Sequence, residues 1–241
     1  MADAPPPVLP AAIPLGERLA LAFGAGARAD ALAALAEVEH EILASARHGI
    51  DHGVAHVRLE WWRGEIEQLA SGTPRHPAAR RLHVAAGAGP RYARLAELLR
   101  SAEMAVLGYA PDGRAELLAE LDRSHGTRAA LRAEILVGGQ HPRLEDYACA
   151  LGRGLGLAGA LATDDATLLG AVPRTEARAL AIEELDRALA LEAPFTARQA
   201  HGLIRARLAR EGLDRVGGEL PALRQWWLAW RTARRALGSV P

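Results

Sequence analysis

The sequence predicts an all-α fold, and three observations predict it. Apolar residues recur at three- to five-residue steps, as at Val54, Val57, Trp61, Ile66 and Leu69. Alternating β-branched runs bounded by turns are missing. Glycine and proline punctuate the chain at Gly24/Gly26, Gly49/Gly53, Gly72–Pro77, Gly87–Pro90, Pro111/Gly113, Gly138–Pro142, Pro173, Pro194 and Gly217–Pro221. Those intervals divide it into about eight to ten helices. At 241 residues, half of them hydrophobic, and with no internal repeat, the chain reads as one helical domain over 15–241 behind a flexible Pro-rich tail at 1–14.

Composition narrows the function classes. All basic side chains are arginine and formal charge is zero, so no global field attracts nucleic acid, and no nucleic-acid partner is expected. The single cysteine, Cys149, excludes an intramolecular disulfide and points to a reducing, cytoplasmic setting, with the thiol filling core. "LGLAGALA" is the segment nearest to a membrane span and falls far short of the roughly 20 residues of a membrane-spanning helix.

In chain order, the first informative helix is "ALAALAEVEHEI", with Glu37 and Glu41 four residues apart. "HGIDHGVAH" then sets His48, His52 and His56 at metal-ligand steps, but Gly49 and Gly53 interrupt the helix, so a solvated turn is the simpler expectation. The next helix starts at Asp51, a capping residue, and runs through Trp61 and Trp62 to "SGTPRHP". Trp61 shares a face with Val54 and Val57, and Trp62 is offset by about 100°, so the two indoles are expected to widen one buried face. "GLGLAG" at 154–159 matches a dinucleotide fingerprint, but "LEDYACALGR" before it reads as helix, not strand, and close helix packing accounts better for the glycines. Last, "LRQWWLAWRTARRAL" puts Leu223, Trp227 and Trp230 on one stripe with Arg231, Arg234 and Arg235 nearby. This is either a terminal helix docked on the body or a peripheral membrane-surface helix.

"VRLEWWRGEIEQLASGTPRHP" resembles the WWR segment of the squalene/phytoene synthase family, the head-to-head prenyltransferases. "ALAALAEVEHEI", "ELLAELDRSHGTRAALRAEILVG", "ALGRGLGLAGAL", Pro173 and the terminal tryptophan helix are similar to further family segments in the same order. The resemblance implies an isoprenoid-synthase-like helical bundle with a central cavity. In active members two aspartate-rich motifs hold Mg²⁺ against a diphosphate. Here the first motif's place reads "EVEHE". At the second, Ala162 and Thr163 replace the expected Arg and Asp, and Asp164 and Asp165 follow one or two places late, turned about 100° to 200° on a helix.

Two readings follow. One is a non-catalytic member, similar to the family's complex I assembly-factor branch, that binds an isoprenoid or lipid ligand or a protein partner, with no cofactor. The other is an active prenyltransferase in which Glu37, Glu41, Asp164 and Asp165 serve as substituted Mg²⁺ ligands. Under either, Trp61, Trp62, Arg63, Trp227 and Trp230 are expected to be structural anchors. A generic helical interaction protein sharing only composition is the blandest alternative.

Overall fold

Most of the glycine and proline punctuation marks become helix ends. The computed structural model describes residues 14–47, 49–88, 90–139, 143–191, 200–215 and 220–238, and among them there is no strand. The helices are α1 (Leu15–Gly24), α2 (Ala29–Ala44), α3 (His52–Ala70), α4 (Pro77–Ala86), α5 (Leu95–Val106) and α6 (Arg114–Leu121). They continue with α7 (Thr127–Val137), α8 (Leu144–Thr163), α9 (Ala166–Leu169), α10 (Arg174–Ala190), α11 (Ala200–Leu213) and α12 (Ala222–Gly238). The number exceeds the expected eight to ten because two boundaries fall outside the glycine and proline marks named from the sequence. Asp164, at φ 55°, ends α8 without glycine or proline, and a π-helical turn, Asp122–Gly126, separates α6 from α7. The tail at 1–13 and His48 lie outside the described residues.

Two apolar cores meet at α7. Leu131, Ile135 and Leu136 of α7 join α2, α3, α4 and α5 in the first core, while Ala129 and Ala130 join α6, α8, α10 and α11 in the second. Two glycines of "GLGLAG", Gly154 and Gly156, and Gly152 before them are packing notches in α8. A Cβ at Gly154 would stand 2.6 Å from Leu185 Cγ, one at Gly156 2.5 Å from Leu121 Cδ2, and one at Gly152 2.5 Å from Gly126 Cα. Only hydrogen fits at those contacts, so the helices approach more closely than alanine would allow. Gly159 has open space beside it.

Helix α3 starts where expected, with Asp51 Oδ1 accepting from Gly53 N at 2.9 Å and Val54 N at 3.1 Å. Its buried stripe corrects the expected one. Ala55, Leu59, Trp62, Ile66 and Leu69 point inward, at steps of four and three, while Val54, Val57 and Trp61 are exposed. Trp62 is 4% exposed and Trp61 51%. The expected stripe contained a five-residue step from Trp61 to Ile66. That step marks the change of face, because a helix advances about 500° over five residues and so overshoots one stripe. Beyond α3, buried Glu65 accepts from the backbone N–H groups of Arg75 and His76, both at 2.7 Å, and the His76 ring lies 4.9 Å from that of Trp62. Helix, turn and the start of α4 are thereby locked together.

Helix α12 docks on α1 and α11 through Ala229, Thr232, Ala233 and Ala236. Trp227 and Trp230 are therefore not inward anchors. They lie on the outer face with Leu223 and Trp226. Small residues let α12 approach closely, which leaves the large ones outside. No helix among the described residues is long and apolar enough to cross a membrane.

Candidate functional site

Two adjoining cavities lie among α1, α2, α7, α8, α10, α11 and the start of α12. They have volumes of about 980 and 330 Å³ and share Pro14, Leu155, Leu208 and Ala209 as lining. The larger is walled by Leu155, Ala158, Leu161, Leu208, Leu213 and Leu220, with Arg174, Arg178 and Arg215 at its edge. Gly159 also lines it, so the one glycine of the fingerprint with free space beside it widens the cavity. At the edge, Arg174 pairs with Asp164, and Arg178 Nε donates to Leu213 O at 3.0 Å, capping the end of α11.

The smaller cavity is charged. Arg132 of α7 grips Glu39 of α2 with two guanidinium nitrogens, Nη2 lying 2.7 Å from Oε2, and Arg128 Nε donates to the same oxygen at 3.1 Å. Glu17 of α1 forms ion pairs with Arg205 Nε of α11 at 2.6 Å and with Arg132 Nε at 3.5 Å, and lies 3.2 Å from His201 Nε2. Burial alone would raise the Glu17 carboxyl, but Arg205, Arg132 and the His201 hydrogen bond hold it well below the usual range. Burial pulls Arg205 down to about 10, against the opposing field of Glu17. It pulls His201 down despite Glu17, and burial with Arg128, Arg205 and Arg132 brings His125, on the π turn, down to about 3. Both imidazoles are thus neutral at pH 7. Three guanidiniums face two carboxylates, and the cluster carries an excess positive charge.

Of the sequence-expected carboxylates only Asp164 reaches these cavities, at the edge of the larger one, where Arg174 pairs with it. Glu37 pairs with Arg81 of α4. Glu41 lines a separate surface hollow with Val57, Trp61 and His76. Asp164 is the left-handed cap of α8, and Asp165 caps α9 by accepting from Leu168 N at 3.0 Å. Arg63 joins Glu60 on its own helix to Glu103 on α5 at the surface. Of the expected histidine steps, His52 and His56 are exposed at the start of α3.

Mg²⁺ needs several convergent oxygen ligands not already neutralised. No group of three Asp, Glu, His or Cys side chains suited to a metal exists among the described residues, and the carboxylates that line the cavities, Glu17, Glu39 and Asp164, are each paired with arginine. The residues present do not fit the ion that the family resemblance implies.

Sequence reasoning missed Glu39, Arg132, Arg205 and Glu17. The signal for Glu39 was its phase: Leu32, Leu35, Glu39 and Ile42 follow at steps of three, four and three, so an acid stands on an otherwise apolar stripe. A buried charge demands a buried partner, which pointed to α7 or α11.

A family model described as squalene/phytoene synthase matches residues 18–234. Among solved structures the chain is similar to a crystal structure of a dehydrosqualene synthase in complex with ligand, at a TM-score of 0.68 and 16% identity, over 93% of this chain and 92% of that one. At that identity the likeness shows the shared all-α isoprenoid-synthase fold alone. No curated protein matches. The chain belongs to the squalene/phytoene synthase family.

Proposed function

We propose, from membership of this family, that the protein is a non-catalytic member that uses its cavity to bind an isoprenoid or similar lipid carrying an anionic head. The observation that carries this reading is the charge of the inner cavity. Arg128, Arg132 and Arg205 exceed Glu17 and Glu39 there, beside an apolar chamber of about 980 Å³. A volume of that size suits a lipid chain, and buried guanidiniums suit a phosphate or carboxylate. Among the described residues no free, convergent carboxylates face the cavity that could hold Mg²⁺ against a departing diphosphate.

The test pairs turnover with binding. Farnesyl and geranylgeranyl diphosphate are expected to bind by calorimetry, with no Mg²⁺-dependent pyrophosphate release. Ala158→Phe, which fills the larger cavity, is expected to weaken binding at least tenfold while circular dichroism stays unchanged. Metal-dependent pyrophosphate release would overturn the reading in favour of the active prenyltransferase. Absence of binding by folded protein would overturn it in favour of a role as a protein-binding scaffold.

A further inference from the structure

Helix α12 is unlike the rest of the molecule. It holds four arginines, Arg224, Arg231, Arg234 and Arg235, and no acidic residue, in a chain whose 29 basic and 29 acidic side chains balance overall. Its outer face presents Leu223 at 85% exposure, Trp226 at 49%, Trp230 at 40% and Trp227 at 38%, so three of the five tryptophans lie on one surface strip.

The strip is ordered. The indoles of Trp226 and Trp230 stack at 6.3 Å, and Trp226 meets the ring of Phe23 on α1 edge-on at 5.9 Å. Guanidiniums lie over the outward rings: Arg231 at 4.8 Å and Arg224 at 5.4 Å from Trp227, and Arg234 at 5.7 Å from Trp230. Arg224 has an acidic partner in Glu211, whereas no carboxylate among the described residues pairs with Arg231 or Arg234. Exposed tryptophan is costly in bulk water, but its amphipathic ring is well suited to the headgroup layer of a bilayer, where arginine meets lipid phosphate. Charge complementarity selects an anionic surface. The approach to α12 also forms one lip of the larger cavity, through Leu220 and Gln225.

We propose that the outer Trp/Arg face of α12 docks the protein on a bilayer containing anionic phospholipid, with the cavity's lip beside the membrane. Docking goes beyond ligand binding, and its test contains no isoprenoid, so the two proposals fail separately.

The experiment is vesicle flotation of the full chain with phosphatidylcholine alone and with phosphatidylcholine mixed with phosphatidylglycerol, read together with tryptophan emission. Binding to the phosphatidylglycerol vesicles is expected, with a blue shift, and it should weaken as salt is raised. Trp227→Ser/Trp230→Ser should lower binding at least tenfold, and Arg231→Gln and Arg234→Gln by about fivefold each. The arginine variants serve as a second test because Arg231 and Arg234 are exposed and support no packed core. No binding by the wild type, or undiminished binding by the folded variants, would overturn the proposal. A dimer that the tryptophan variants dissociate, without vesicle binding, would overturn it and assign the face to a second copy of the chain.

Discussion

The tryptophan pairs of α3 and α12 have the same sequence and opposite situations. Trp62 is buried against His76 and the first core, and Trp61 lies outside it, touching Trp62 edge-on at 5.3 Å. Trp226 and Trp227 both lie on the outer face of their helix. Adjacent residues on a helix are separated by about 100°, so a pair can straddle the edge of a buried stripe or sit wholly outside it. What decides is the partner face. Helix α3 presents Leu59, Trp62 and Ile66 to its neighbours, where a large residue is needed to fill space, whereas α12 presents alanines to α1 and α11. A tryptophan doublet is therefore evidence for a large apolar contact without saying whether the contact is inside the protein.

The most disruptive way to probe this contrast is Trp62→Ala. It should cost about 3–5 kcal/mol in urea unfolding, as expected for removal of a buried aromatic, whereas Trp227→Ser should change stability by less than about 1 kcal/mol. Equal effects at the two sites would break the comparison. A smaller loss is expected from Glu65→Ala, which strands the amides of Arg75 and His76. About 1–3 kcal/mol should disappear, with the α3–α4 turn becoming protease-sensitive.

Acid separates the regions more gently. His125 has its folded value near 3 and its unfolded value near 6.5, so the unfolded chain takes up the proton first as pH falls. The stability it contributes is complete above about pH 6.5 and is lost progressively between there and about pH 3. Glu17, whose carboxyl is held low, adds a loss in the same direction below its ordinary range. The described face of α12 contains only arginine as an ionisable type, so it keeps its charge throughout that window. Melting temperature should therefore fall from pH 7 to pH 5, while the affinity of still-folded protein for phosphatidylglycerol vesicles should not fall with it.

Much of this was legible in the sequence. Helical periodicity, the Asp51 cap, the glycine and proline breaks and the order of family-like segments depend on neighbours in the chain, and they led to the all-α fold and to the family. The acids of "EVEHE" were legible too, yet attention went to Glu37 and Glu41, when Glu39 between them is the buried one. Two residues turn a helix by about 200°, so the three acids of "EVEHE" reach α4, α7 and a surface hollow beside α3. Asp164 and Asp165, adjacent in sequence, became caps of successive helices.

Local sequence thus determined which segments are helical and where most of them stop, since hydrogen bonding, capping and backbone sterics act within a few residues. Only the tertiary structure decided which stripe of each helix is buried, which carboxylates are neutralised by arginine and which tryptophans remain outside. Those outcomes depend on the size and charge of side chains brought together across as many as 188 positions, as between Glu17 and Arg205. Packing volume and the cost of an unpaired buried charge are settled only when both partners are in place.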